Sequence, residues 1–292
     1  MSLTLKNLTK AYGKKIAVNG IDVEFKAGVN ALLGVNGAGK TSLMKMLSTV
    51  MTPTKGKILY NNKNILKNEK EYRNKVGFLP QEFNGYPEFN AKDFLYYIGK
   101  LKDLSDKDIR KRTKELLELV SLYDVKGKKI KTFSGGMRRR LGIAQALLNN
   151  PEVVFLDEPT AGLDPKERIK FNNIINNLAK DKIIIVSTHI ISDVENIASN
   201  FVVMKEGKVF LQGNAEEIIG TLEGKVWEYT LNSKEVADVE DIGNYRIDQN
   251  NNVIVRILSD NRPHEGAKQV KARIEDVFLN SAAEGMKNAS FN

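Results

Sequence analysis

The chain has 292 residues, 41% hydrophobic and 28% charged, and its 45 basic against 36 acidic residues leave a formal net charge of +9. This length suits one large domain plus a small one, and the lack of cysteine excludes disulfides and thiolate metal sites and fits a reducing compartment. Apolar runs such as 183–186 are far too short to cross a bilayer, no charged-then-apolar leader opens the chain, so secretion is not expected, and the mild basic bias suits nucleotides, an anionic membrane surface or nucleic acid without choosing among them.

Residues 3–8 and 16–25 read as strands about a polar turn at Gly13-Lys14-Lys15. An apolar strand over 29–33 then runs into Gly34-Val35-Asn36-Gly37-Ala38-Gly39-Lys40-Thr41-Ser42 and a helix carrying Leu43, Met44, Met46 and Leu47. A strand, a glycine-rich turn and a helix are the setting in which G-x4-G-K-[ST] is a P-loop. The amides of Asn36, Gly37, Ala38 and Gly39, with the helix N-terminus, form a nest of positive partial charge. Lys40 adds a full charge for β- and γ-phosphates, and the Thr41 hydroxyl suits Mg2+. The chain is therefore expected to bind a nucleoside triphosphate.

Pro53 and Gly56 interrupt that helix, and 57–60 and 76–79 read as further strands, the second ending at Pro80-Gln81. From 90 to about 131 the pattern is helical. Phe94, Tyr97, Ile98 and Leu101 share one helical face, and Leu116, Leu117, Leu119 and Val120 another. Ser134-Gly135-Gly136 opens a helix with Met137, Leu141, Ala144 and Leu148 on one stripe. The run Arg138-Arg139-Arg140 could face phosphate or lipid, and a solvated helix face is the expectation. A buried-type strand over 152–156 ends in Asp157-Glu158. Asp164-Pro165 caps a helix that buries Phe171, Ile174, Ile175 and Leu178. A strand over 183–187 ends at Thr188-His189. After about 220, strands over 226–231 and 253–258, polar turns near 244 and 250–252, a helix over 272–279 and a frayed tail are expected, with no site read in them.

Strands alternating with helices predict a parallel, doubly wound sheet with ligands beyond the carboxyl ends of its strands. Asp157, at such an end, is placed to hold Mg2+. Glu158 beside it is the natural general base for an attacking water.

The order P-loop, Gln81, Phe133-Ser134-Gly135-Gly136-Met137, Asp157-Glu158, Ala161-Gly162-Leu163-Asp164, His189 closely resembles an ATP-binding cassette (ABC) ATPase over about residues 1–220. The resemblance implies a P-loop NTPase of α/β class. Its parts would be a mainly parallel sheet, an N-terminal antiparallel β subdomain, an inserted helical subdomain at about 84–150, and a small C-terminal α/β appendage over 221–292. It implies ATP and Mg2+ as ligands. Tyr12 would stack on adenine and Ser42 would touch the α-phosphate. Gln81 would reach Mg2+ and the water and couple to a partner, and His189 would contact the γ-phosphate. Catalysis would fall to Glu158, His189, Gln81 and Lys40, Mg2+ to Thr41, Gln81 and Asp157. Ser134, Gly135, Gly136 and Asp164 would join the nucleotide-binding set, because bare amides at a helix N-terminus make a second phosphate site. One P-loop and one such site suggest a head-to-tail dimer, of two copies or with a second ABC subunit. Met137, where glutamine is commonest, departs from the family pattern.

The resemblance extends to the exporter type that handles drugs, peptides or polysaccharides, through Met137-Arg138-Arg139-Arg140 and Ile274-Glu275-Asp276-Val277-Phe278-Leu279. Such chains pair with separate integral membrane subunits, which would place this one at the cytoplasmic face of the membrane. Phe83, Tyr86, Phe89, Phe94, Tyr96 and Tyr97 make an aromatic stretch that either docks a membrane subunit or forms the helical subdomain's own core. The alternative function is a soluble ABC-type ATPase acting on ribosomes or nucleic acid. Such proteins carry two cassettes or a long coiled coil, neither of which is seen, so no nucleic acid is expected. For the C-terminal appendage, regulation or a dimer contact is the expectation, and His264 is expected at the surface.

Overall fold

The computed structural model describes residues 1–231, 245–248 and 252–277. The chain packs as two compact units, Met1–Leu211 and Gln212–Asn292.

The first unit opens with β1 (Ser2–Tyr12), β2 (Lys15–Lys26) and β3 (Gly28–Leu33), then α1 (Lys40–Leu47), β4 (Lys55–Tyr60), β5 (Lys63–Asn64), α2 (Glu69–Arg73) and β6 (Val76–Leu79). The helical stretch follows as α3 (Ala91–Leu101), α4 (Asp106–Leu119) and α5 (Gly135–Ala146). Then come β7 (Val153–Asp157), α6 (Pro165–Leu178), β8 (Ile183–Thr188), β9 (Asn200–Lys205) and β10 (Lys208–Gly213).

Two sheets result, for reasons visible in their patterning. β2, β1, β4 and β5 form an antiparallel sheet. In β1 and β2, Leu3, Leu5, Leu8, Val23 and Phe25 are buried while intervening residues are exposed or half-buried, as expected for a sheet with one face in the core. The larger sheet has the order β10-β9-β3-β8-β7-β6, with β9, β3, β8, β7 and β6 running parallel. Every residue of β7 and of β8 is buried, because both faces of the parallel sheet are covered, one of them by α1 and the antiparallel sheet. The α/β class with a mainly parallel sheet is thus as expected.

Register is what positions the site. Leu33 is level with Thr188, Asp157 with Ser187, and Leu79 with Leu156. The polar residues that follow β3, β8, β7 and β6 therefore emerge side by side on one sheet edge.

The helices correct four expectations. On α3 the buried residues are Ala91, Phe94, Leu95 and Gly99, whereas Tyr97 and Leu101 are exposed. Leu119 is also exposed, and Leu178 is only half-buried. Most consequentially, α5 is buried nearly all round in its C-terminal half, with Leu141, Gly142, Ile143, Ala144 and Ala146 buried. A β-carbon at Gly142 would meet Leu79 and Phe83, so α5 lies tight against β6. Arg139 is carried inside with it.

In the second unit, α7 (Ala215–Gly220) precedes β11 (Val226–Leu231), β12 (Tyr245–Ile247), β13 (Val253–Leu258) and β14 (Lys268–Gln269). These strands form an antiparallel sheet ordered β12-β13-β11-β14. Arg256 on β13 donates to both carboxylate oxygens of buried Asp276, at 2.6 and 2.8 Å, and to Glu228 at 2.8 Å. That fork ties the helical turn at 274–277 to the sheet. His264 is exposed and stacks on Tyr229, with ring centroids 5.0 Å apart. Residues 244, 250 and 251, the expected helix end at 278–279 and the tail lie outside the described residues.

Candidate active site

Between β3 and α1 the P-loop wraps back on itself. Gly39 precedes α1 at φ 103°, a conformation costly to any residue with a β-carbon. A β-carbon there would run into the Ala17 carbonyl. At Gly34 it would sit 2.6 Å from the Met204 carbonyl. Glycine at these two positions is thus demanded by the backbone on either side, and the turn is closed by the Ala38 amide, which donates to the Val35 carbonyl at 3.1 Å.

Lys40, the first residue of α1, is only 6% exposed. Its Nζ donates to the Gly34 carbonyl at 2.6 Å and lies 3.5 Å from Glu158 Oε1. Burial pushes the Lys40 ammonium below its ordinary value, against the opposing pull of Glu158 and Asp157. Tyr12 stands at the other end of the loop. Its ring is 45% exposed, and its hydroxyl lies 3.3 Å from Ser42 Oγ and 2.9 Å from Met51 Sδ.

At the end of β7, Asp157 is buried and accepts a short hydrogen bond from the Ser187 hydroxyl. The Glu158 amide donates to the Ser187 carbonyl at 3.0 Å and to Ser187 Oγ at 3.1 Å. Glu158 itself has φ 47°. A non-glycine residue in this left-handed region costs about 1–2 kcal/mol and is held there by its surroundings. Its buried carboxylate lies between Lys40 and His189, whose Nδ1 is 3.0 Å from Glu158 Oε2. With Glu158 ionised, Nδ1 is the donor in this contact.

The structure thus brings Lys40, Asp157, Glu158 and His189 into one cluster. Gln81 stands at its border: its side chain is exposed, and its carbonyl accepts from Arg139 at 2.7 Å. Ser134, Gly135, Gly136 and Asp164 stand apart. Among the described residues no hydrogen bond or ion pair joins them to the Lys40–Glu158 cluster. Ser134 Oγ caps α5 through the Met137 amide at 3.1 Å, and Asp164 Oδ1 caps α6 through the Glu167 amide at 2.9 Å. A β-carbon at Gly136 would collide with Glu167, which pairs with Arg140 at 3.0 Å. The Ser134–Gly136 turn is thus set against α6 and presents Ser134 and Gly135 exposed.

The expected solvated face at 138–140 is overturned. Arg139 is 7% exposed and donates to five backbone carbonyls, those of Pro80, Gln81, Asp157, Glu158 and Pro159. Hydrogen bonds to a charged group contribute about 1.5–3 kcal/mol each, enough to offset burying a guanidinium. Burial still lowers its pKa from the ordinary value. Sequence reasoning missed Arg139, yet a signal existed. Gly142, Ile143 and Ala146 lie three, four and seven residues on, so Arg139 occupies the apolar stripe itself. It also missed Ser187 and Asp193. Buried Asp193 pairs with Arg168 at 2.8 Å and accepts from the Thr160 hydroxyl, bracing the loop after Glu158.

A P-loop closed by a lysine, a histidine just beyond the neighbouring strand β8 and an acidic pair at the end of β7, one strand further on, define a P-loop nucleoside triphosphatase. The chain belongs to the ABC transporter family, whose family description matches residues 18–161. It is 36% identical over 236 residues to an uncharacterized ABC transporter ATP-binding protein, YxlF, of Bacillus subtilis, covering 80% of this chain and 77% of that one. A Nod factor export ATP-binding protein of Cupriavidus metallidurans is 34% identical over 219 residues, covering 74% and 72%. Among solved structures, the dimeric cassette MJ0796 in a post-hydrolysis state bound to ADP and Pi superposes with a TM-score of 0.66 at 28% identity. That match covers 73% of this chain and 98% of that one. The protein is an ATP-binding ATPase of this family.

Proposed function

We propose that this chain is the energy-coupling subunit of a membrane exporter, and that it hydrolyses ATP at a site finished by a second cassette. The observation that carries the reading is a division within one chain. A complete P-loop and its acidic pair form one cluster, while the exposed Ser134-Gly135-Gly136 turn presents a second set of helix N-terminal donors elsewhere. A helix N-terminus attracts phosphate. Two half-sites on one chain are satisfied when two chains meet head to tail, each turn closing over the partner's P-loop.

In this reading the amides of Asn36 to Gly39 cradle the phosphates with Lys40 and Ser42, and Tyr12 stacks on adenine. Glu158 takes the proton of the attacking water, His189 steadies the γ-phosphate, and Gln81 orients the water and signals to the partner. Asp164 lies close to the partner's nucleotide. Mg2+ fits the donor set. It prefers hard oxygen ligands and keeps much of its shell for water and phosphate, so one hydroxyl and one carboxylate suffice. Thr41 and Asp157 would supply them, with Gln81 adding an amide oxygen; no group of three or more His, Cys, Asp or Glu that could hold a metal ion occurs among the described residues. The ion would neutralise developing charge on the phosphates.

The membrane subunits would be separate chains at the cytoplasmic face, since no helix among the described residues is long and apolar enough to cross a membrane. Residues 1–220 would be the nucleotide-binding domain, with 84–150 as the arm that meets those subunits, and 221–292 an accessory domain. Tyr86, Phe89 and Tyr97 support that role for the arm. They pack on one another at centroid distances of 5.5–5.8 Å and yet are each over a third exposed. Export as the direction is supported by the Nod factor export relative. Affinity purification of the tagged chain from solubilised membranes tests the reading. An integral membrane protein should co-purify, and salt-sensitive recovery of ribosomes in its place would refute it.

A further inference from the structure

Five carbonyl oxygens from two neighbouring strand ends converge on the Arg139 guanidinium. Nη1 donates to Pro80 at 3.0 Å and Gln81 at 2.7 Å, just beyond β6. Nη2 donates to Asp157 at 2.5 Å and to the Glu158 carbonyl, and Nε to Pro159 at 3.0 Å, at and beyond the end of β7. A guanidinium has five N–H donors in a rigid planar fork, so all its donor edges are engaged. The same residue lies on the second turn of α5, whose first turn is the Ser134–Gly136 element. One side chain therefore joins the exposed turn, the Gln81 segment and the backbone of Glu158.

The point of attachment matters because Glu158 is held in an unfavourable backbone conformation. Its amide is fixed by Ser187 and its carbonyl by Arg139. Both ties bear on the backbone, at φ 47°, from which the carboxylate reaches Lys40 and His189. We propose that Arg139 is a positioning residue that locks Gln81 and Glu158 to α5, so that seating the Ser134–Gly136 turn on a nucleotide sets the aim of the Glu158 carboxylate. This rests on the reading of Glu158 as the general base. A lysine keeps the charge but lacks the fork, so the conservative exchange separates geometry from electrostatics.

The test compares wild type, Arg139→Lys, Arg139→Gln and Glu158→Gln by melting temperature, ATP affinity, kcat and KM. For Arg139→Lys the ATP Kd and KM stay within about threefold of wild type, which marks intact ground-state binding. Its kcat falls by about tenfold or more, because misplacement of a catalytic group by an ångström can cost a hundredfold. A kcat within about twofold of wild type overturns the role, and so does a loss of kcat matched by an equal loss of affinity, the signature of general damage. If Glu158→Gln turns over normally, the reading of Glu158 as base fails, and the inference with it. If Glu158→Gln is dead while Arg139→Lys is normal, only the positioning role falls. A measurement on wild type covers the case in which neither Arg139 variant folds. ATP should slow amide hydrogen exchange in 134–140, 80–82 and 157–160 together, and protection of the first segment without the others would overturn the coupling.

Discussion

Replacing Glu158 by glutamine changes one oxygen to nitrogen in a buried cluster, and its effects on binding and on turnover should have opposite signs. The carboxylate lies 3.5 Å from Lys40 Nζ. At an effective dielectric constant of about 20, that separation corresponds to an attraction of about 5 kcal/mol, most of it cancelled by the cost of burying both charges. ATP must draw Lys40 toward its phosphates against this pair, and the Glu158 charge also repels the γ-phosphate. Removing the charge frees Lys40 for the ligand, so ATP binding should tighten by about tenfold, or about 1.4 kcal/mol. Turnover should fall by about 10²–10⁴-fold, the usual worth of a general base, or about 2.7–5.4 kcal/mol of barrier. Titration calorimetry with Mg·ATP gives the first quantity and a continuous phosphate-release assay the second. Weaker ATP binding in the variant would refute the competition for Lys40, and wild-type turnover would remove Glu158 as the base.

Two other substitutions probe the cradle and the docking arm. Gly39→Ala forces a β-carbon toward the Ala17 carbonyl at φ 103°, so ATP affinity should drop by about tenfold or more, the left-handed backbone alone costing about 1–2 kcal/mol. Unchanged affinity by titration would show that the loop tolerates the intrusion. Tyr86→Ala with Phe89→Ala removes exposed rings that pack on Phe94 and Tyr97, so basal ATPase activity should persist while transport by the reconstituted complex is lost. Intact transport would dispose of the docking role.

Much of this architecture was legible because polar residues follow apolar strands. Leu33, Leu156 and Val186 each lie just ahead of the residues that enter the site, and parallel pairing in register then sets those residues side by side. Caps were legible too, since Asp164-Pro165 and Ser134 are strong local signals that need no tertiary context. Arg139 was not, because a run of three arginines reads as solvent-facing when composition is weighed ahead of helical phase. Its burial depends on carbonyls at two strand ends, 18–20 and 58–59 residues away in the chain, which no local pattern encodes. The aromatic stretch divided in the same way. Phe94 is core and Tyr97 is exposed, although helical spacing puts both on one face, because Leu95 and Gly99 turn the buried stripe toward α4 and its Ile109.

That one chain's Ser134–Gly136 turn completes its partner's P-loop is tested most directly by mixing two dead variants. Lys40→Ala removes the phosphate cation from one half-site, and Ser134→Arg blocks the other, so each homodimer should be inactive. A mixed dimer has one site with both defects and one with neither. Equimolar mixing should therefore restore about a quarter of wild-type ATPase activity, as expected for a head-to-tail pair in which half the dimers are mixed. No recovery in mixtures shown to form mixed dimers, or full activity of Ser134→Arg alone, would contradict the account.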